Sequence, residues 1–381
     1  MASDLLPRSR YDHDRQAIGA LLTGEPGYRA RQVWEGLHDR LADPDELTEL
    51  PTALRARLTD ALPPALAAEV EQESDGGETV KWLWRLRDGA TVETVLMTYS
   101  SRRTTVCVSS QAGCAMACGF CATGQAGFER HLTTGEIVEQ VVRAARRVRD
   151  DGGRLSNVVF MGMGEPLANY GATWGAVERI HGDLGLSARH ITVSTVGVVP
   201  GIRRLAAEAL PVNLAVSLHA ADDATRDELV PLNRRYPLAV LLAACAEYLE
   251  AKGRRLSFEW ALIDGVNDRP VDAGHLARAC HDLPLAAHVN LIPLNPTPGY
   301  AVRGSPPTAV RAFRDRLAQL GVNVTVRRTR GTDIEAACGQ LRHIGRLRAS
   351  PRPGGSAPAS ASVVLRRGGA AAPRRASPPD R

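Results

Sequence analysis

The stretch TTVCVSSQAGCAMACGFCATGQAGFERHLTTGEIVEQVVRAARRVRD, residues 104 to 150, decides how the rest of the chain is read. It opens on a short run with Thr104, Thr105, Val106 and Val108, the composition of a strand. It then crosses a loop that holds Cys114, Cys118 and Cys121. It closes on a helix, where Thr133 and Glu136 have capping-box spacing and Ile137, Val141 and Ala144 fall on one stripe. Strand, loop and helix make one βα unit.

The same rhythm continues downstream. Strands are expected at 104–109, 157–161, 190–194, 212–217, 256–262 and 288–292, each followed by a helical pattern, with a last strand at 322–327. Near-continuous apolar strands alternating with helices predict a parallel α/β sheet, and six units can close most of a TIM-like barrel. A doubly wound sheet is the alternative. Upstream, 28–39 places Ala30, Val33, Trp34 and Leu37 at helical spacing, and 43–58 does so with Leu47, Leu50, Leu54 and Leu58. The period then changes to that of strands at 79–86 and 91–99. The expected organisation is a small helical and strand accessory domain at 1–98, a partial (βα)6 core at 99–346 and a tail at 347–381.

The chain has 381 residues, 44% hydrophobic and 23% charged, which excludes wholesale disorder. Its longest apolar stretch, 236–249, is interrupted by Pro237 and Glu247, so no membrane span is expected, and the charged start does not read as a secretory signal. A soluble, cytoplasmic protein is the expectation. From Arg346 onward eight arginines oppose one aspartate, a local +7 that leaves about −2 of the total +5 for the remainder. The surplus therefore belongs to a Pro-, Ala- and Ser-rich tail expected to be an unfolded, solvated extension, and it says little about the core.

Three cysteines in eight residues can wrap one inorganic centre. An iron–sulphur cubane with one open iron takes three thiolates. A structural zinc would need a distant fourth ligand, and three buried structural cysteines would need no metal at all. Cys245 and Cys280 sit on apolar helical stripes and read as core. On local sequence alone Cys107 reads as a small buried thiol in a strand, while a free structural cysteine is the plain alternative for Cys338 and an exposed glutamate keeping a strand edge soluble the plain alternative for Glu93.

The three-then-two spacing, with Phe120 before the last cysteine, resembles the signature of radical S-adenosylmethionine enzymes. Around it, 107–114 (CVSSQAGC), 160–167 (FMGMGEPL), 217–219 (SLH), 290–296 (NLIPLNP) and 327–340 (RRTRGTDIEAACGQ) together resemble one subfamily, from Arg31 to about Leu341. It is the bacterial dual-specificity RNA methyltransferases, which methylate carbon-2 of an adenine in 23S ribosomal RNA and in certain transfer RNAs. That carbon lies between two ring nitrogens, is electron-poor and cannot attack a sulfonium methyl, so a radical route is required. The resemblance implies a radical S-adenosylmethionine barrel, a 4Fe–4S cluster on Cys114, Cys118 and Cys121, and S-adenosylmethionine held by Gly164, Glu165, Ser194, Ser217, Leu218, His219 and Asn295. It implies that Cys338 carries the methyl group and becomes bonded to the RNA, that Cys107 releases the adduct through a transient disulfide, and that Glu93 accepts a proton. It also implies 23S rRNA, tRNA and a flavodoxin-like electron donor as partners.

The cofactor residues have an argument of their own, because all follow the C-terminal ends of expected strands, where parallel barrels assemble their sites. Arg102, Arg103, Arg327, Arg328 and Arg330 flank the two proposed thiols and are candidate phosphate contacts, with solvated arginines as the plain reading. The competing functions are methylation at carbon-8 of the same adenine, with the same cysteine set, and a non-catalytic iron–sulphur or zinc RNA-binding protein.

Overall fold

The structure, a computed structural model, describes residues 8–99, 103–295, 297, 299–300, 302–327, 330–337 and 339–341. The expectations for Arg102, Arg328, Cys338 and the tail at 347–381 therefore lie outside the described residues.

Ten strands form one sheet: β1 (Leu66–Ser74), β2 (Thr79–Leu86), β3 (Thr91–Thr98), β4 (Thr104–Cys107), β7 (Asn157–Phe160), β8 (Ile191–Thr195), β9 (Asn213–Ser217), β10 (Leu256–Leu262), β11 (His288–Pro293) and β12 (Asn323–Val326), hydrogen bonded in that order. A separate two-stranded ribbon pairs β5 (Gln111–Gly113) with β6 (Phe128–His131). From β4 to β12 every pairing in the large sheet is parallel. Spatial order follows chain order, with no reversal of the kind that defines a doubly wound sheet, so the barrel-like winding holds. All seven parallel strands fall within two residues of their expected bounds; the apolar run is clearest in β10, where Phe258, Trp260 and Leu262 are fully buried.

Some expectations need correction. The helical pattern at 43–58 is split into a 3-10 turn, Pro44–Glu46, and a helix, Thr52–Ala61. Pro51 disfavours helical backbone at Leu50, so the leucine spacing is spread over two elements. Strand β1 was not expected, since LAAEVEQES carries few large apolar residues and is mostly half-exposed at the sheet edge. Strands β1 to β3 continue the large sheet at one end, β3 pairing antiparallel with β4.

Helix Thr134–Asp150 fastens the N-terminal helices to this sheet. Glu139, fully buried on it, accepts from the Ala65 amide (2.7 Å) and pairs with Arg143 (2.9 Å). The helix starts where the capping box places it: the Thr133 hydroxyl accepts from the Glu136 amide (3.1 Å), and the Glu136 carboxylate accepts from the Thr133 amide (2.9 Å). Thr133→Ala should lower stability by about 1 kcal/mol. A urea-denaturation midpoint equal to wild type would show that the cap is redundant.

Candidate functional site

The loops leaving the C-terminal ends of β4, β7, β8, β9, β10 and β11 surround one cleft of about 1080 Å³, its open mouth included. Cys114, Cys118, Cys121, Gly164, Glu165, Ser194, Ser217, His219 and Asn295 all line it, so residues spread over 182 positions of sequence meet in one place.

The cysteine loop is pinched shut at its base by β5 and β6. The Cys114 amide donates to the Gly127 carbonyl (2.8 Å), and Gly113 adopts φ +75°. A Cβ at Gly113 would lie 2.0 Å from that carbonyl oxygen, so only glycine closes the neck. Burial, the leading cause, pushes the Cys114 thiol up to about 12 and the Cys118 thiol upward as well, with Cys121 adding to both. Thiols in such surroundings stay protonated unless a metal centre takes them as thiolates.

Glu165 is fully enclosed. Its carboxylate accepts from the amides of Leu167 (3.0 Å) and Val196 (2.8 Å), linking the β7 and β8 loops. Burial raises it to about 7 against the lowering effect of those bonds. Gly164 before it has φ +98°, and a Cβ there would lie 2.5 Å from the Gln111 Cβ. The Ser194 hydroxyl donates to the Phe160 carbonyl (2.5 Å). His219 accepts at Nδ1 from the Ala261 amide (3.0 Å), and its carbonyl accepts from the Asn267 side chain (2.7 Å). Burial, reinforced by Arg226, lowers it to about 3, so at neutral pH the ring is uncharged and carries its proton on Nε2. Leu218 differs from the other expected contacts: its side chain is buried in the main core and does not line the cleft, and its amide donates to the Glu259 carbonyl (3.0 Å).

Glu259 also lines the cleft and was not singled out from the sequence, although a charge inside the apolar run LSFEWAL is its signal. Its carboxylate accepts from Ser257 (3.0 Å) and Asn290 (2.8 Å) and pairs with Arg327 (3.3 Å), which faces the cleft.

Glu93 and Cys107 are not among the residues that line the cleft; they stand on β3 and β4, which pair antiparallel. Cys107 pairs with Val95, two residues from Glu93, so both side chains share one sheet face. Glu93 is 1% exposed and bonded to Lys81 Nζ (3.0 Å), itself buried, so the exposed-edge reading of Glu93 is wrong. Lys81 also donates to the Glu335 carbonyl (3.4 Å). Further along that segment the Gly339 carbonyl accepts from the Ala122 amide (2.8 Å) and the Leu341 carbonyl from the Thr123 hydroxyl (2.5 Å). The chain on either side of position 338 is thus tied to the Lys81–Glu93 pair and to the end of the cysteine loop. Cys245 and Cys280 are buried, as expected, and burial raises both to about 12. Of the described arginines, Arg330 pairs with Glu78 (2.9 Å), and Arg330 and Arg103 stack on Tyr99 at 4.6 and 4.4 Å.

Residues 108–276 match the radical SAM superfamily. The probable dual-specificity RNA methyltransferase RlmN of Parafrankia sp. (strain EAN1pec) is 55% identical over 86% of this chain and 89% of its own length. Its counterpart in Chloroflexus aurantiacus is 52% identical over 88% and 92%. The chain belongs to the RlmN family of radical SAM RNA methyltransferases. A radical SAM methyltransferase from Sphaerobacter thermophilus has the same architecture, with a TM-score of 0.85, 50% identity, and coverage of 88% of this chain and 99% of that one.

Membership implies a 4Fe–4S cluster and S-adenosylmethionine, and the donor set here fits. Three thiols line the cleft, yet among the described residues no three His, Cys, Asp or Glu side chains converge on a single ion. A cubane binds each thiolate at a separate corner, whereas a zinc draws its ligands to one point.

His219 gives a pH prediction. The folded ring resists protonation while the unfolded one takes a proton near pH 6.5, so the stability it contributes is complete above about 6.5 and is lost as pH falls toward 3. Ring-nitrogen NMR should show a neutral Nε2–H imidazole from pH 8 to 5; a midpoint above 5 would contradict this environment.

Proposed function

We propose that this methyltransferase acts on carbon-2 of an adenine in 23S ribosomal RNA and in a subset of transfer RNAs in the cytoplasm, consuming two molecules of S-adenosylmethionine per methylation. The observation that carries the reading is the double tether around position 338: Glu335 to Lys81, which holds Glu93, and Gly339 to Ala122, which follows Cys121. It joins the candidate base and the candidate metal-binding loop through the segment that bears Cys338.

Cys114, Cys118 and Cys121 hold the cluster, and Gly164, Glu165, Ser194, His219, Asn295 and the Ser217–Leu218 backbone hold the cofactor. When bound, this pair supplies the methyl group and the radical that carbon-2 chemistry demands, with electrons from a flavodoxin-like donor. Cys338 carries the methyl as a thioether; that methyl gives up one hydrogen atom to the radical, and the resulting methylene bonds to carbon-2, the adduct then losing one electron and the carbon-2 proton. Glu93 accepts the proton that leaves carbon-2, a task for a positioned carboxylate. Cys107, as thiolate, then attacks the Cys338 sulphur: the S–S bond of a Cys107–Cys338 disulfide forms as the sulphur–methylene bond breaks, and the exocyclic carbon, which keeps that electron pair, takes up a proton to become the methyl group of the released RNA. The target base leaves its stack to reach these groups.

Reaction of the reconstituted enzyme with methyl-deuterated S-adenosylmethionine and unmodified ribosomal RNA, followed by digestion and mass spectrometry, should put the label on carbon-2 of adenosine. Label on carbon-8 would replace the proposed specificity with the resistance-type one, and an intact cluster with no label would overturn the activity on this RNA. Cys338→Ala should abolish methylation, and Cys107→Ala should accumulate a covalent protein–RNA complex. Normal turnover by Cys107→Ala would refute the resolving role. Glu93→Gln should slow turnover about 10²-fold or more.

A further inference from the structure

Arg226 is among the largest side chains fully enclosed by the fold, 1% exposed, on the helix Asp223–Leu229 that follows β9. Its guanidinium donates to backbone carbonyls of two site loops: Nη2 to Val196 (2.6 Å) after β8, and Nε to Leu218 (3.1 Å) and Nη2 to Ser217 (3.5 Å) after β9. Nη1 donates to the Asn233 side chain (2.7 Å), whose own amide reaches Asp223 (2.9 Å) and Asp227 (2.7 Å). Among the described residues no carboxylate pairs with it directly, and those two acids stand one layer behind Asn233. A buried cation held by neutral carbonyls is costly, and this one remains charged at neutral pH, being lowered by burial only to about 10.

Its placement gives that charge a use. Cys118 packs in a small apolar cluster with Ala220, Leu229 and Val230, next to Val196, so the cysteine loop rests on the helix that carries Arg226.

We propose that Arg226 is a positioning residue for the cofactor pocket: its fork sets the β8 and β9 loops in register, and its fixed positive charge behind Cys118 favours the reduced state of the cluster bound there. This rests on reading those loops as the cofactor site. A guanidinium spans three carbonyls and an amide at once; an ammonium keeps the charge and loses the fork, and an amide loses the charge.

The test uses the full chain with reconstituted cluster, measuring iron content, S-adenosylmethionine affinity by equilibrium dialysis, and cluster potential by redox titration followed by electron paramagnetic resonance. Arg226→Lys should keep the wild-type potential and weaken affinity about tenfold, the effect of one lost charge-assisted hydrogen bond. Arg226→Gln should weaken affinity similarly and also shift the potential to more negative values. Wild-type affinity in Arg226→Lys overturns the positioning role, and this holds even where the Gln variant yields no folded protein. An unchanged potential in folded, iron-replete Arg226→Gln overturns the role of the charge. Wild-type protein that takes up the cluster but binds no S-adenosylmethionine would instead overturn the reading of the loops.

Discussion

A parallel strand can be followed by another only if the chain crosses back over the sheet, so every strand of such a sheet delivers its C-terminal end to the same edge. Here seven strands obey this constraint in chain order, and the cysteine loop, the turn at Gly164 and Glu165, Ser194, the Ser217 to His219 stretch and Asn295 are brought to one rim as a result. The site needs no other device to collect its parts. What it needs is precision at the junctions, and that comes from buried polar contacts: Glu165 between two loops, Asn267 on His219, Ser109 between β3 and β7, and Arg226 beneath Val196 and Ser217.

The antiparallel extension, β1 to β3, sets up a second region with a different task. It presents Lys81 and Glu93 on the face they share with Cys107 of β4, and the end of β1 and the turn after it anchor the C-terminal segment through Ser74 to Asp333 and through Asp75 to the Gly331 amide. That segment belongs to no strand, yet it is held at one end by the N-terminal hairpin and at the other by the cysteine loop. The two ends of the described chain thus depend on each other across more than 250 residues of sequence. The Lys81–Glu93 pair rules out the exposed-edge alternative for Glu93. A lone glutamate in a strand can be an exposed edge, and only its cation, on the neighbouring strand β2 and buried with it, makes its burial tolerable.

Local chemistry alone determined a good deal. The apolar runs and the capping box at Thr133 specify their strands and helix without reference to neighbours, and the three cysteines in eight residues announce an inorganic centre through donor type and spacing. Only tertiary structure decided the rest. Strand β1 exists because β2 pairs with it, the neck of the cysteine loop because Gly113 meets Gly127, and the importance of Glu259 and Arg226 because loops distant in sequence close around them. A hydrogen bond or buried charge has two partners, and where these are far apart along the chain, neither neighbourhood contains the information that makes the contact.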